Sequence, residues 1–464
     1  MYVLYKGRDD FVMNIVIGGC GKIGTNILES LINEGHNVVC IDPNHKVIEE
    51  LTNIYDVMGV CGNASDCETL EEANINNAEL FVAVTGSDEL NMLSCFIAKK
   101  MGAKHTIARI RNPEYNDKSL DFMRKQLGLS MSINPDLLVA RELFNILQLP
   151  SAIKVETFSR RNLEMIEFSI KPDSKLHNLK LSEFKAKYKV NLLIGIVQRG
   201  NEVYIPNGDF ILQEGDHLAI TTSHSEIEKL LKELGALKKK AKNIMILGGS
   251  RTSYYLAKLL CNIGVYPKII EKDFARCQEL CEELPKATII HGDGTTQELL
   301  LEEGLQDMDA FVALTDMDEE NILLSIFAET KNVPTVISKI NRAEFIHMAQ
   351  NLGLDCIVSP KDCISGVMLR YARALKNSMG SNVETLYKLM DGKAEALEFN
   401  VKAESPLINI PLKDLEIKKN ILIAGIIRGR KTIIPGGDDV ILPDDKVLIL
   451  ATEHKLNDLK DVLL

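Results

Sequence analysis

Residues Asn14 to Asp42, NIVIGGCGKIGTNILESLINEGHNVVCID, decide the fold. A short apolar run, Ile15-Val16-Ile17, meets Gly19-Cys20-Gly21-Lys22-Ile23-Gly24 and passes into a helical pattern with Ile23, Ile27, Leu28, Leu31 and Ile32 on one face. A second apolar run, Val38-Val39-Cys40-Ile41, ends on Asp42, eighteen positions beyond Gly24 (42 minus 24). Strand, glycine turn, helix, strand and acid at this spacing form a dinucleotide-binding unit. Gly19 permits the tight turn, Gly21 lets backbone amides approach a pyrophosphate, and Gly24 lets the helix lie close on the strand. Phosphates would meet unpaired amides and the positive end of the helix dipole. Asp42 can accept from both hydroxyls of an adenosine ribose and would repel a 2′-phosphate, which favours NAD(H) or an adenine nucleotide over NADP(H).

Outward from this unit the alternation continues. A helix is expected from about Asn44 to Asn53, then a strand at Val57 to Val60 ending in the polar turn Cys61-Gly62-Asn63-Ala64-Ser65-Asp66. Leu80 to Val84 is wholly apolar, as a central parallel strand is, and ends at Thr85-Gly86-Ser87-Asp88, where Ser87 or Asp88 can cap a helix through Asn91 and Lys99. A fifth strand, His105 to Ala108, ends at Arg109. This is a doubly wound, Rossmann-like parallel sheet, whose ligands sit at the carboxyl ends of strands. The glycine turn, Asp42, Asn63, Ala64, Thr85, Gly86 and Arg109 all occupy such ends. Arg109 can reach a phosphate bidentately or pair with a neighbouring acid, and Lys22 reads first as a solvated side chain.

Two helical patterns, separated by Met131 to Pro135, fill Asp117 to Leu149. The chain then changes to short β-like runs, Ile153–Phe158, Glu164–Ile170, Leu192–Gln198 and His217–Thr222, with turns at Arg199 to Asn201 and Pro206 to Asp209. This is a small α+β domain closed by a basic linker. Everything then repeats. Asn243 to Gly248 answers Asn14 to Gly19, Glu271 answers Asp42, Thr315 answers Thr85 and Pro435 answers Pro206, at an offset of 229 or 230 (271 minus 42; 315 minus 85; 435 minus 206). The second glycine turn has decayed: Gly248, Ser250 and Ser253 stand where Gly19, Gly21 and Gly24 stood. A serine at the second position puts a Cβ where a pyrophosphate approaches, although its hydroxyl can donate. Gly248, Gly249, Ser250, Arg251, Glu271, Gly292, Asp293 and Thr315 are the candidate ligand residues of this half.

With 464 residues and 45% hydrophobic content the chain is expected to divide into several domains. A net charge of −11 and no basic run beyond Lys238-Lys239-Lys240 argue against nucleic acid as a partner. No apolar run has the roughly 20 residues of a membrane span. The polar start, Met1 to Val12, is too short for a signal peptide, so it is expected to be disordered or to reflect an upstream start codon. The ten cysteines form no CxxC pair, Cys277 and Cys281 share a helix face with no second pair, and no metal site is expected. Cys20, Cys40, Cys61, Cys67, Cys95 and Cys261 read as small buried hydrophobes in a reducing cytosol.

The duplicated turn and acid, together with VTGSDELNM, IARIRNPEY, HGDGTTQELLLEEG and ALTDMDEENI, resemble the TrkA-type regulatory subunits of Trk potassium uptake systems. The resemblance implies a tandem duplication of RCK units, each a Rossmann-like domain followed by a small α+β C-terminal domain. The expected boundaries are an extension at 1–12, the first Rossmann-like domain at 13–134, a linking helix and C-terminal domain at 135–236, the basic linker at 237–242, the second Rossmann-like domain at 243–360, and its linking helix and C-terminal domain at 361–464. It further implies a non-enzymatic peripheral protein on the cytoplasmic face of the membrane. Such a protein would form a ring, as a homotetramer, bind NAD(H) or ATP/ADP, and gate a TrkH-like potassium-translocating membrane protein. Gly19 to Ile23, Asp42, Thr85, Gly86 and Arg109 match the family's ligand positions. The rivals are an NAD-dependent oxidoreductase and a ligand sensor for another channel or transporter. Hydride transfer needs a substrate pocket beside the nicotinamide, and only a small β-rich module follows each Rossmann-like half.

Overall fold

The computed structural model describes residues 12–115, 117–149, 154–158, 163–171, 174–235, 240–378, 383–390, 392–452, 456 and 458–464. The expected disorder before Val12 and the first three residues of the basic linker lie outside them. The chain forms two compact units: one holds residues up to Leu138 with Lys361–Leu369, and the other holds Val139–Pro360 and Arg370–Leu464.

The first unit alternates β1 (Asn14–Gly18), α1 (Lys22–Asn33), β2 (Asn37–Asp42), α2 (His45–Ile54), β3 (Met58–Cys61), α3 (Cys67–Glu72), β4 (Leu80–Ala83), α4 (Asp88–Met101), β5 (His105–Arg109), α5 (Asp117–Leu127) and β6 (Met131–Ile133), and ends in the start of α6 (Pro135–Gln148). The six strands are parallel in the order β3-β2-β1-β4-β5-β6, so the chain order reverses between β1 and β4, opening a crevice there. Ile15, Ile17, Phe81 and Val82 are fully buried, as central strands covered on both faces require. One side of the sheet packs Val16, Ile41, Phe81 and Ala108 against Met92, Cys95 and Ala98 of α4. Met131 to Ile133, read in the sequence only as a break between helices, is the sixth strand, pairing Ile107 with Met131 and Arg109 with Ile133. Three residues, one of them Ser132, are too few to show a period of two.

The second unit begins with the rest of α6 and a five-stranded antiparallel sheet of β7 (Lys154–Phe158), β8 (Leu163–Ser169), β9 (Leu193–Arg199), β10 (Glu202–Tyr204) and β11 (His217–Thr222), with α7 (Leu181–Lys187) and α8 (His224–Leu234). A second parallel sheet follows, in the order β14-β13-β12-β15-β16-β17, built from β12 (Ile244–Leu247), α9 (Arg251–Asn262), β13 (Lys268–Glu271), α10 (Phe274–Glu283), β14 (Thr288–His291), α11 (Gln297–Glu302), β15 (Ala310–Ala313), α12 (Asp318–Thr330), β16 (Thr335–Lys339), α13 (Ala343–Asn351) and β17 (Ile357–Val358). After α14 (Pro360–Ser378) comes the last antiparallel sheet, β18 (Val383–Leu389), β19 (Ala394–Asn400), β20 (Ile421–Arg428), β21 (Lys431–Ile433) and β22 (Lys446–Thr452). The fold class is therefore the one expected: two Rossmann-like sheets, each followed by a small domain.

The two small sheets share one core, in which Leu163, Met165, Ile196 and Ala219 meet Ala394, Ala396, Ala424, Ile427, Leu448 and Leu450. Glycine makes the contact possible from both sides. A Cβ on Gly195 would stand 2.3 Å from Leu450 Cδ1, and one on Gly425 would stand 2.8 Å from Leu163 Cδ2. Each small domain also carries a buried acid clamped by arginine, Asp216 with Arg199 (Oδ1 to Nε 2.7 Å) and Asp445 with Arg428 (Oδ1 to Nε 2.9 Å). The beginning of α14 belongs to the first unit, where Lys361 bridges to Glu29 of α1 at 2.8 Å and Ser365 Oγ lies 2.8 Å from Ser30 Oγ.

Candidate functional site

The first crevice is set by the turn between β1 and α1. Gly19 has φ +94° and donates to the Ile41 carbonyl at 2.8 Å, which ties the turn to the end of β2. A Cβ on Gly19 would lie 2.7 Å from the Thr85 nitrogen, and one on Gly24 would lie 2.0 Å from the Gly19 oxygen, so both positions exclude a side chain for packing reasons. Gly21 differs: a Cβ there would meet nothing within 4 Å, so its lack of a side chain leaves open space. Gly21 is the N-cap of α1, no side chain caps the helix, and no acid stands in its first turn. No side chain caps these first amides, and no acid of the helix's own first turn offsets the positive dipole end. Lys22 is exposed and Ile23 half-buried beside it. Those features fit a bound pyrophosphate.

Asp42 Oδ2 accepts from the Cys20 amide at 2.8 Å and Oδ1 from the Asn44 amide at 2.9 Å. Each oxygen keeps a lone pair for a ribose hydroxyl. The Cys20 thiol donates to the Ile41 carbonyl at 3.6 Å; the neighbouring Cys40 thiol and burial push it well above its ordinary pKa, and it serves as packing. Cys40 and Cys95 are buried as expected, but Cys61 and Cys67 are exposed and Cys261 is half-buried. Those three fall at strand or helix ends, where period alone does not report burial. Asn63 closes an Asx turn on Ser65 (amide and hydroxyl both 3.0 Å), and Ala64 is buried under Gly18. Among the described residues no group of three or more His, Cys, Asp or Glu could hold a metal ion, and no helix is long and apolar enough to cross a membrane.

The Thr85-Gly86 loop completes the crevice, and it is fixed from below. Asn91, fully buried on α4, accepts from the Thr85 amide and hydroxyl, both at 2.7 Å, and donates to the Arg109 carbonyl at 2.9 Å. Arg109 is 7% exposed and its guanidinium donates to the Thr85 carbonyl, so it holds the loop instead of standing open toward a ligand. Ser87, not Asp88, caps α4. Asp88 instead accepts from the Arg111 and Asn112 amides, both at 2.8 Å, and tethers the loop after β5. The sequence reading missed the roles of Asn91 and Asp88. Their signal was present, because both recur as Asn321 and Asp318 with the same bonds: Asn321 to the Thr315 amide (3.0 Å) and Lys339 carbonyl (2.9 Å), Asp318 to the Asn341 (3.0 Å) and Arg342 (2.9 Å) amides.

In the second half the same scaffold carries different chemistry. Glu271 Oε2 accepts from the Gly249 amide at 2.5 Å and Oε1 from the Asp273 amide at 2.7 Å, repeating Asp42. Gly248 keeps φ +92°. Ser250, however, caps α9 with its own hydroxyl, and Arg251 is exposed at the first helical position. Gly292 is half-buried against Leu299, and Asp293 forms the Asx turn on Thr295, whose hydroxyl and amide hold its carboxyl below the usual range.

Comparison with known proteins returns two family models twice each: the TrkA-N domain at residues 15–135 and 244–360, and the TrkA-C domain at 165–235 and 396–464. The chain is 34% identical over 447 residues to Trk system potassium uptake protein TrkA homolog 1 of Methanosarcina mazei, across 95% of this chain and 97% of that one. Among solved structures it resembles the GsuK channel bound to NAD, with a TM-score of 0.62 at 16% identity over 96% of this chain and 78% of that one. GsuK bound to ADP gives a TM-score of 0.51 at 14% identity over 80% of this chain and 71% of that one. At these identities the structural likeness is one of fold.

Proposed function

Because the chain belongs to the TrkA family, as two tandem pairs of TrkA-N and TrkA-C domains, we propose that it is the peripheral, nucleotide-sensing regulatory subunit of a potassium uptake system. It takes NAD(H) or ADP/ATP in the first crevice, assembles as a homotetrameric ring on the cytoplasmic side, and gates a TrkH-like potassium-translocating membrane protein. The start of α1 carries this reading: an uncapped helix N-terminus opens onto the space at Gly21, with Asp42 fixed at the neighbouring strand end. Gly19 to Gly24 would hold phosphates on backbone amides, Asp42 the ribose, and Asn63, Ala64, Thr85 and Gly86 the walls, with Arg109 acting through Thr85. The name of the Methanosarcina relative supports the potassium-uptake part of this reading, and the GsuK structures bound to NAD and to ADP support the choice of ligand class.

Binding without chemistry performs work when the ligand prefers one arrangement of the assembly over another. A tenfold preference is worth about 1.4 kcal/mol per site, and several sites in a ring add their biases. Calorimetric titration of the full chain with NAD, NADH, ADP and ATP tests the reading. Saturable binding that Asp42→Ala weakens is expected; indifference to all four refutes it. Capture from native membranes should retain a potassium-translocating membrane protein, and retention of a different transporter would reassign the partner. Steady oxidation of NADH with a carbonyl substrate would favour the oxidoreductase instead.

A further inference from the structure

We infer that the two halves of the duplication have diverged in function. The first crevice alone takes a nucleotide, and Ser250 and Asp316 exclude polyphosphates from the second. Each chain then binds one nucleotide, not two. This rests on the nucleotide reading of the first half.

The two turns share a backbone, with Gly19 at φ +94° and Gly248 at φ +92°, yet they present different groups. No side chain caps α1, and the space beyond Gly21 is open. At α9, Ser250 Oγ accepts from the Ser253 amide at 3.3 Å and lies 3.0 Å from Ser253 Oγ, which is 2.5 Å from the Gly248 carbonyl. One of the amides that a diphosphate would use therefore has an acceptor within the chain. A Cβ and a hydroxyl also stand in the approach that Gly21 leaves clear.

Charge changes in the same direction. Lys22 and Arg251, Arg109 and Lys339, and Asp42 and Glu271 match in sign across the repeat, but Asn63 is replaced by Asp293 and Gly86 by Asp316. The Asp316 side chain is 99% exposed and directly follows Thr315, whose amide nitrogen would lie 3.2 Å from a Cβ on Gly248. Its ion-pair partner at 3.7 Å, Lys339, is the counterpart of Arg109, so that cation does not offset the added carboxylate. Arg276 reaches the turn through the Gly249 carbonyl (2.8 Å), but its charge is matched by Glu279 at 2.7 Å and Glu283 at 3.8 Å. The five matched positions give the second half two more negative formal charges (Asp293 and Asp316 for Asn63 and Gly86), but Lys272, which stands where the first half has Pro43, acts on Asp293, so the net excess rests on Asp316. A ligand that carries its own negative charges meets that difference as repulsion, which physiological salt largely screens only beyond about 8 Å.

Calorimetry with ADP and with NADH, taken well past saturation of the first site, counts the equivalents. One per chain is expected for wild type and none for Gly21→Glu. The Ser250→Gly/Asp316→Gly double variant, which copies the first half, should raise the count to two. Glycine is a tolerated N-cap and Asp316 is exposed, so the fold should survive the change. Two equivalents in wild type, one retained by Gly21→Glu, or a double variant that stays at one overturns the inference. Absence of all binding would instead refute the nucleotide reading on which it rests.

Discussion

Replacing Gly24 with alanine tests whether the glycine turn is set by packing or only by composition. The new Cβ would stand 2.0 Å from the Gly19 oxygen, 3.0 Å from the Gly19 carbonyl carbon and 3.4 Å from Val84 Cγ2. An ordinary contact to that oxygen begins at 3.4 Å, roughly 1.4 Å farther out, and the oxygen cannot easily retreat, since Gly19 is held at φ +94° by its bond to Ile41. Overpacking of this kind costs about 1–3 kcal/mol, offset by about 1 kcal/mol from the better helix propensity of alanine. A net local loss of up to about 2 kcal/mol remains. The same displacement carries the first α1 amides away from the phosphate position, so ADP or NADH should bind at least about tenfold more weakly. Hydrogen exchange at the β1 and α1 amides reads the local stability, and calorimetry reads the affinity. Ser253→Ala is the internal control. At that position the second half already carries a side chain, so the change removes the 2.5 Å contact to Gly248 and the 3.0 Å contact to Ser250 Oγ, each worth about 1 kcal/mol, and leaves nucleotide binding alone. Unchanged exchange and unchanged affinity in Gly24→Ala would refute the packing account of the turn.

Four further outcomes are expected. Asp42→Ala should weaken NADH by about 2 kcal/mol through loss of charged ribose bonds, checked by titration; equal affinity would remove Asp42 from the site. Asn91→Ala leaves the Thr85 amide and Arg109 carbonyl without their buried partner, so about 2 kcal/mol of stability should go, with weaker binding, as read by urea denaturation and calorimetry. Asp216→Ala breaks a clamp whose acid is buried but whose Arg199 side chain is 34% exposed, so the cost should be about 2–3 kcal/mol, less than that of a fully buried pair; Asp445→Ala should match it. Burial, then Lys99 and Lys104, hold His105 below the ordinary histidine value of 6.5, so the unfolded chain binds that proton more readily. Stability is then full above that value and falls as the pH drops from it toward the folded pKa, a slope that His105→Gln should flatten in pH-dependent denaturation.

The architecture was legible because its signals are local. Apolar runs bounded by glycine give strands, Gly19 to Gly24 gives the turn, and a constant offset gives the duplication. The strands Met131–Ile133 and Ile357–Val358 escaped because two or three residues at a sheet edge carry no period. The packing of Lys361 and Ser365 on α1 joins residues more than 330 positions apart, and no pattern within a window can show it. Arg109 lies at a strand end, as its place in the sequence implies, but the direction of its guanidinium depends on the Thr85 carbonyl and Asn91 beneath it, which only the folded loop brings together.

The acid that follows the second strand illustrates what a motif can and cannot say. Asp42 and Glu271 each accept two backbone amides, one from the glycine turn and one from the start of the next helix. Leaving the Cys20 or the Gly249 amide unbonded in a part-buried turn would cost about 1–3 kcal/mol, enough to retain a carboxylate there whether or not a ribose ever binds, whereas the exposed Asn44 and Asp273 amides can turn to water. The acid therefore persists in both halves for a structural reason, and its presence does not separate a ligand-binding copy from one that has lost its ligand. Gly21 against Ser250 does separate them. Gly21 has no neighbour that forbids a side chain, so packing does not require the glycine, and open space beside an uncapped helix start is the feature that a bound phosphate would explain.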